Sequence, residues 1–257
     1  MAELFLLQGL AHRFADGGDG LVGIDLRLED GEFLVLSGRN GSGKTLLARH
    51  LAGLSLPSEG SLLFRGIEAA SRRRELRRAV GFVFQDSDSQ IFGQSVAEDA
   101  AFGPANLGLE TQEIQRRVRR ALDWAKLTGK ENRRPETLSG GERRKLAIAG
   151  VLAMEPECLI LDEPFANLDM ESVNEIARIC QELNARGITI IVLTHELEKI
   201  LHLARRLLIL DSGRLCFDGK PEELEPEAFA RHGLACPFEG HFPWTIPRPD
   251  PAGEKSP

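Results

Sequence analysis

The sequence has 257 residues, of which 42% are hydrophobic, so it can bury a substantial core in one large domain or two small ones. A formal net charge of −7 argues against a protein that binds nucleic acid by attraction over its whole surface. The four cysteines lie too far apart for a compact disulfide framework or paired metal ligands, so we interpret them as reduced thiols.

Apolar runs of strand length recur along the chain, and several lack polar alternation, as expected for strands buried on both faces. The predicted strands are 4–7, 33–37, 80–84, 158–161, 188–193 and 207–210. The predicted helices are 44–54, 111–127, 142–154, 170–185 and 196–204. This alternation of strand and helix predicts an α/β fold with a mostly parallel central sheet.

Two departures from simple alternation are expected. The mostly helical pattern between the strands ending at 84 and starting at 158 predicts a helical subdomain, at about 93–150, inserted into the sheet. Short runs at 22–28 and 61–64 indicate an antiparallel β portion. We therefore expect one domain over 1–235, followed by a proline-rich tail over 236–257 that cannot carry a helix or a central strand.

The amino-terminal sequence MAELFLLQGL has an acidic residue before its apolar run and no basic region, so it predicts a first strand rather than a signal peptide. The most apolar stretches are far shorter than the roughly 20 residues that span a bilayer. We therefore expect a cytoplasmic protein, in which any contact with a membrane is made through a partner.

A glycine-rich loop, SGRNGSGKT, lies between a predicted strand and a predicted helix. It fits G-x-x-x-x-G-K-[ST] in the context that makes this pattern specific. Glycines let the backbone wrap phosphates closely, while Lys44 reaches the β and γ oxygens and the Thr45 hydroxyl binds Mg²⁺. The sequence thus predicts a P-loop for ATP with Mg²⁺, whose contacts are Gly38, Asn40, Gly41, Ser42, Gly43, Lys44 and Thr45.

A P-loop needs a further carboxylate for its magnesium ion, and the stretch ECLILDEP contains two. Asp162 follows an apolar run, at the strand end where open α/β sheets bind ligands, and Glu163 comes next. Two buried carboxylates need a cation or a proton beside them. Asp162 is therefore predicted to bind Mg²⁺, and Glu163 to be the catalytic base that polarises the attacking water.

A second glycine turn, LSGGERRK, has no lysine placed as in a P-loop. Together with the P-loop and the Asp-Glu strand, in this order, it resembles the signature sequence of ABC ATPases. In that family two subunits pack head to tail, and the signature of one closes over the γ-phosphate held by the other. The resemblance implies that Ser139, Gly140 and Gly141 contact the partner's ATP. Glu142 replaces the usual glutamine and adds a carboxylate near that nucleotide.

Four more residues match the family's motifs. Gln85 resembles the Q-loop glutamine, which senses Mg²⁺ and the attacking water and links the site to a membrane partner. His195 resembles the switch histidine that contacts the γ-phosphate. Asp169 resembles the D-loop aspartate, which couples the two sites of the dimer. Phe14 is at the position of the adenine-stacking aromatic, usually a tyrosine, which this chain lacks altogether.

Within that family, residues 84–109 and 147–156 resemble the energy-coupling factor and cobalt/nickel-type importers. In these, two ATPases drive a transmembrane T component that works with a separate substrate-capturing S component. The resemblance implies a peripheral ATPase at the cytoplasmic face of the membrane, paired with an identical or paralogous ATPase, for metal-ion or vitamin uptake. Residues 86–92 would dock the coupling helices of the T component, and the transported substrate would be chosen by another polypeptide.

Three alternative functions are less favoured by the sequence. Arginine clusters at 71–78 and 116–120 lack the interleaved aromatics of a nucleic-acid platform, so a solvated helix face is favoured, with anionic lipid as a third reading. A soluble ABC-type machine acting on DNA or ribosomes usually has coiled coils or tandem cassettes, which are not seen here. A regulator without turnover is disfavoured because Glu163 and His195 are both present. No nucleic-acid partner is therefore expected.

Overall fold

The computed structural model describes residues 2–236, which form ten strands and seven α-helices. The strands are β1 (Glu3–Arg13), β2 (Asp19–Glu29), β3 (Phe33–Ser37), β4 (Glu59–Phe64), β5 (Ile67–Glu68), β6 (Val80–Val83), β7 (Cys158–Asp162), β8 (Thr189–Leu193), β9 (Arg206–Asp211) and β10 (Arg214–Gly219). The helices are α1 (Lys44–Leu51), α2 (Arg73–Ala79), α3 (Val96–Asn106), α4 (Thr111–Trp124), α5 (Gly140–Leu152), α6 (Met170–Ala185) and α7 (Pro226–Arg231). None of these helices is long and apolar enough to cross a membrane. The tail predicted at 236–257 lies outside the described residues from 237 onward.

A six-stranded sheet forms the centre, in the order β10-β9-β3-β8-β7-β6. Neighbouring strands are parallel except for the antiparallel β9–β10 pair, which confirms the predicted mostly parallel sheet. Every residue of β3, β7 and β8 is buried, as their unbroken apolar runs predict. Parallel strands end at the same edge, so the segments following β3, β6, β7 and β8 meet there.

The predicted antiparallel portion is a second sheet, in the order β2-β1-β4-β5. Phe5 of β1 pairs with Leu28 on one side and with Phe64 on the other, and all three side chains are buried. Their apolar cluster also contains Leu47 of α1 and Leu36 of β3. This packing joins the small sheet to the P-loop helix, so that the loop after β1 lies beside the P-loop.

Helices α3, α4 and α5 follow one another between β6 and β7, at the position predicted for the helical insertion. Ser95 begins α3 by accepting a hydrogen bond from the Glu98 amide at 3.2 Å. Most of α5 is buried, because it contacts α3, α4, α6 and strand β6. This helix therefore connects the insertion to the central sheet.

The helix predicted at 196–204 is wrong. The chain forms two short 3₁₀ helices there, Leu197–Lys199 and Leu201–Leu203, separated by Ile200 with φ −141° and ψ −19°. The buried residues Leu197 and Ile200 are three positions apart, as are Leu201 and Ala204. A spacing of three matches the 3₁₀ repeat, so these short turns bury the same apolar side chains that suggested an α-helix.

The arginine cluster at 71–78 has partners within the fold. The Nε atoms of Arg73 and Arg77 both donate to the Gly53 carbonyl oxygen, at 2.8 and 3.0 Å. Gly53 follows the last turn of α1, where carbonyl groups lack intrahelical partners. Two arginines of this cluster therefore stabilise the end of the P-loop helix.

All four cysteines are free thiols, as interpreted from the sequence. Cys158 and Cys180 are fully buried in the core. Burial raises the pKa of the Cys180 thiol to about 12, so it stays protonated and acts as a small apolar side chain.

Candidate functional site

The P-loop folds between β3 and α1 with its lysine turned inward. Lys44 is 6% exposed, and its ammonium donates to the carbonyl oxygens of Gly38 at 2.8 Å and Arg39 at 3.2 Å. Burial lowers the pKa of Lys44, although the carboxylates of Glu163 and Asp162 oppose this effect. Among residues 2–236 no carboxylate is bonded to this desolvated cation, so the loop is poised for an anionic ligand.

Gly38 shows why the start of this loop requires glycine. Its φ is +144°, and a Cβ added there would lie 2.2 Å from the Leu210 carbonyl oxygen and 2.6 Å from the Ser42 hydroxyl. Both contacts are closer than any real Cβ allows. The Ser42 hydroxyl is itself buried and has no hydrogen-bond partner among the described residues. An unpaired buried hydroxyl in a phosphate-binding loop is consistent with a ligand that supplies its partner.

Asp162 ends β7 directly opposite the P-loop. Its Oδ2 accepts a hydrogen bond from the Thr45 hydroxyl at 2.8 Å, and the residue is 4% exposed. Burial raises the pKa of Asp162, because the charged carboxylate has lost its hydration. The two side chains predicted from separate motifs to share a metal ion are therefore brought together.

Glu163 points into the same region and is held by two neighbours. Its Oε1 lies 2.9 Å from Nδ1 of His195, and its Oε2 accepts a hydrogen bond from the Thr194 hydroxyl at 3.1 Å. Its backbone φ is +46°, in the left-handed region that non-glycine residues rarely adopt. Its amide also donates to the Leu193 carbonyl at the end of β8. Such an imposed conformation is characteristic of functional positions.

A cleft of about 570 Å³ opens over these groups. It is lined by predicted residues from five separate segments, namely Phe14, Asn40, Gly41, Ser42, Gly43, Lys44, Thr45, Gln85, Asp162, Glu163 and His195. Phe14 is 48% exposed, so about half of this residue is accessible to a ligand. The cleft combines a cation, amide donors and carboxylates at one end with an aromatic ring, which suits a nucleoside triphosphate.

Further cleft residues were missed by the sequence interpretation, namely Asp19, Gly20, Leu46, Ser212 and Gly213. A Cβ on Gly20 would lie 2.8 Å from the Phe14 ring and 2.5 Å from Leu46, so glycine leaves room for that ring. No local pattern indicates this contact. Thr194 was also missed, although a buried hydroxyl directly after an apolar strand is a signal that could have found it.

The signature turn does not line this cleft. Ser139 caps α5, where its hydroxyl accepts from the Glu142 amide at 3.2 Å and Glu142 Oε2 accepts from the Ser139 amide at 2.7 Å. A Cβ on Gly140 would meet nothing nearer than 3.9 Å, whereas one on Gly141 would lie 2.2 Å from the Ser172 hydroxyl. The turn thus presents Gly140 openly, while Gly141 is packed against α6.

Asp169 lies beside this turn, at the start of α6, and is also outside the cleft. Its Oδ1 accepts a hydrogen bond from the Ser172 amide at 2.9 Å, so it is the N-cap of the helix. Hydrogen bonds from Ser172 lower the pKa of this carboxyl. Because Ser172 also contacts Gly141, the predicted D-loop residue and the signature turn share one neighbour.

The comparisons with known proteins agree with this geometry. Residues 21–166, more than half of the chain, match the family model described as ABC transporter. The chain is 42% identical to the energy-coupling factor transporter ATP-binding protein EcfA of Methanothermobacter thermautotrophicus, over 90% of this chain and 76% of that protein. It is 38% identical to EcfA of Methanocaldococcus jannaschii, over 91% of this chain and 86% of that protein.

Solved structures show the same likeness. CbiO1 from Clostridium perfringens, part of the ABC transporter complex CbiONQ, matches with a TM-score of 0.81 and 35% identity, over 90% of this chain and 92% of that one. A dimeric ATP-binding cassette in a post-hydrolysis state with ADP and Pi matches with a TM-score of 0.76 and 26% identity, over 84% and 98% of the two chains. This chain therefore belongs to the ABC transporter family and is an ATPase. Within that family it is an ATP-binding subunit of the energy-coupling factor type.

Proposed function

We propose that this chain is the ATP-hydrolysing subunit that energises a membrane importer of the energy-coupling factor type, for a metal ion or a vitamin, through ATP-driven closure of a dimer. One observation carries the proposal. The P-loop lysine and the two carboxylates that follow β7 share a cleft, whereas the signature turn lies outside it. A second ATPase subunit, identical or paralogous, would supply the missing turn.

In this proposal the P-loop binds the phosphates and Phe14 stacks on the adenine. Lys44 exchanges its bonds to the neutral carbonyls of Gly38 and Arg39 for bonds to charged phosphate oxygens, which stabilises the buried cation. The amides of the loop and the amino-terminal end of α1 add further donors to the same anion.

Three residues at the phosphate end of the cleft fit Mg²⁺. A hydroxyl from Thr45, a carboxylate from Asp162 and an amide oxygen from Gln85 are the hard oxygen ligands that this ion prefers. A cation would also offset the desolvation that raises the pKa of Asp162. When bound, Mg²⁺ would neutralise charge that develops on the phosphate oxygens. These three residues are proposed as its protein ligands.

Hydrolysis is assigned to the group around Glu163. Its carboxylate is the proposed base that orients and polarises the attacking water. His195 and Thr194 each contact one of its oxygens, so the carboxylate is fixed before the water arrives. His195 is half exposed toward the cleft and is proposed to contact the γ-phosphate, while Gln85 senses the metal ion and the water.

Contacts in trans are proposed for Ser139, Gly140 and Gly141, which would close over the partner's γ-phosphate, and for Asp169 across the interface. The exposed edge of the turn at Gly140 supports this assignment. Glu142 forms an ion pair with Lys130, which offsets the negative charge that the sequence adds near the partner's nucleotide.

The surface proposed for the transmembrane T component is residues 86–92 with the adjoining groove of about 330 Å³, which is bounded by α3 and α5. Phe92 and Phe102 are 69% and 54% exposed at its rim, with ring centroids 5.8 Å apart. Two exposed aromatic rings beside a groove are typical of a protein interface. The chain would thereby sit as a peripheral subunit on the cytoplasmic face of the membrane, and an S component associated with the T component would choose the substrate.

The proposal is tested by capture of the T component on the tagged chain from detergent-solubilised membranes. Phe92→Ser should weaken capture about thirtyfold, as expected for loss of an aromatic interface anchor. Its matched control is Leu56→Ser, which removes another exposed apolar side chain that does not line the groove. ATP hydrolysis by the isolated chain should not change in either variant. Equal capture by both variants would contradict the docking assignment, and recovery of DNA or ribosomes in place of a membrane protein would favour the soluble machine.

A further inference from the structure

Arg144 is a buried cation that the proposed chemistry does not use. It lies on α5, five residues after Ser139, and is 6% exposed. Its Nη1 donates to the carbonyl oxygens of Phe84 at 3.0 Å and Gln85 at 2.7 Å. Its Nε is buried and has no hydrogen-bond partner among residues 2–236. Burying a guanidinium costs free energy of desolvation, so its burial against backbone carbonyls indicates a specific role for Arg144.

The two carbonyls belong to the segment that carries Gln85 into the nucleotide cleft. Gln85 follows β6 and lines the cleft with Asp162 and Lys44. Because its carbonyl is bonded to Arg144, the backbone at Gln85 cannot shift without either breaking that bond or moving α5. The backbone that carries this cleft-lining side chain is therefore held by a helix from outside the cleft.

A second bond strengthens this connection. Arg143, next to Arg144, donates from Nε to Asp88 at 2.8 Å and from Nη1 to the Leu138 carbonyl at 2.7 Å. Leu138 opens the signature turn, while Asp88 lies in the proposed docking segment. Two consecutive arginines thus join the first turns of α5 to the chain on both sides of residue 86.

We propose that Arg144 is a positioning residue for Gln85 in the chain's own ATP site. It acts from α5, the helix whose signature turn contacts the partner's ATP. The inference rests on the proposed function, since it requires both sites. Closure of the signature turn over one nucleotide and placement of Gln85 beside the other then become a single movement of α5. Docking of a membrane partner at 86–92 acts on the same connection.

The test compares Arg144→Gln with Lys145→Gln. Lys145 is the next residue of α5, is equally buried at 6% exposed, and pairs with Glu175 of α6 at 2.7 Å rather than with the Gln85 segment. Both variants lose a buried cation, so a merely structural effect should be similar in the two. Their melting temperatures are measured alongside activity.

Arg144→Gln should lower kcat at least about tenfold, leave the Kd for ATP within about threefold, and raise the Mg²⁺ concentration that gives half-maximal rate. Lys145→Gln should keep kcat within about twofold. Arg144→Lys, which can still donate to the carbonyls, should recover part of kcat. An unchanged kcat in Arg144→Gln, or an equal fall in both glutamine variants, would overturn the inference. Wild-type protein without ATPase activity would instead overturn the proposed function.

If Arg144→Gln does not fold, amide hydrogen exchange in the Glu163→Gln chain decides the question. Peptides covering 84–92 and 138–145 are followed with and without ATP and Mg²⁺. The inference predicts that nucleotide slows exchange in both segments over the same range of ATP concentration. Protection of one segment without the other would overturn it.

Discussion

The two glycines of the signature turn should respond differently to alanine. Gly141 is needed for packing against α6, and Gly140 for the proposed contact with the partner's phosphate. A Cβ on Gly141 would lie 2.2 Å from the Ser172 hydroxyl oxygen and 2.8 Å from the Ser172 Cβ, so Gly141→Ala overpacks the contact between α5 and α6. Such overpacking costs about 1–3 kcal/mol, of which the better helix propensity of alanine returns up to about 1 kcal/mol. The middle of that range, about 2 kcal/mol less about 1 kcal/mol returned, leaves a net loss of about 1 kcal/mol. At about 2–4 °C per kcal/mol, the melting temperature should fall by about 2–4 °C.

Gly140→Ala meets no such obstacle, because its nearest neighbour would be Cδ2 of Leu168 at 3.9 Å. Its melting temperature should match or slightly exceed that of the wild type. Its ATP turnover should nevertheless fall at least about tenfold, since an added methyl group keeps the turn from the partner's phosphate. Differential scanning fluorimetry and a steady-state ATPase assay measure the two effects.

A second substitution isolates the packing effect. Ser172→Gly in the Gly141→Ala background removes the obstructing side chain while its amide still donates to Asp169, so the double variant should be more stable than the sum of the two single effects. Wild-type turnover in Gly140→Ala would refute the contact in trans. An unchanged melting temperature in Gly141→Ala would refute the packing argument.

Two more predictions concern Glu163 and His50. Glu163→Gln should lower hydrolysis about a hundredfold or more while ATP binding, followed by equilibrium dialysis, stays intact; a rate close to that of the wild type would exclude Glu163 as the base. His50 is fully buried, and burial lowers its pKa to about 4, with His12 3.1 Å away adding to the effect. Below about pH 6.5 His50 is protonated in the unfolded chain but stays neutral in the native chain. The free energy of unfolding therefore falls by up to about 3 kcal/mol between about pH 6.5 and 4. Urea unfolding at pH 7 and pH 4.5 should show this loss in wild type and a smaller one in His50→Gln; equal losses would contradict the assignment.

Much of the cleft was predictable because its parts follow apolar strands of one parallel sheet. The P-loop comes after β3, Asp162 ends β7 and His195 comes shortly after β8. Since the carboxyl ends of parallel strands lie at one edge, separate motifs imply a shared site before any coordinates are known. The 2.8 Å hydrogen bond between Thr45 and Asp162 illustrates this rule, because it joins the segment after β3 to the end of β7, 117 residues apart in the chain.

The features that escaped prediction depend on contacts between distant elements. The fit of Gly141 to Ser172, and of Arg144 to the Gln85 carbonyl, is set by how α5 packs, which no local pattern encodes. Helix α3 is not among the individually predicted helices; Pro104 and the preceding glycine disfavour a helix, yet capping and burial stabilise it. The wrong helix at 196–204 has apolar spacing that fits α and 3₁₀ turns equally well.

The central claim, that ATP is enclosed between two chains, is tested most directly by the mass of the Glu163→Gln chain in solution. Light scattering after size exclusion should give the 28.3 kDa of one chain without nucleotide and twice that mass with ATP and Mg²⁺. Adding Gly140→Ala to this variant should return the mass to that of one chain at the same ATP concentration. A constant single-chain mass, together with wild-type hydrolysis whose rate per chain does not change on dilution, would contradict the account.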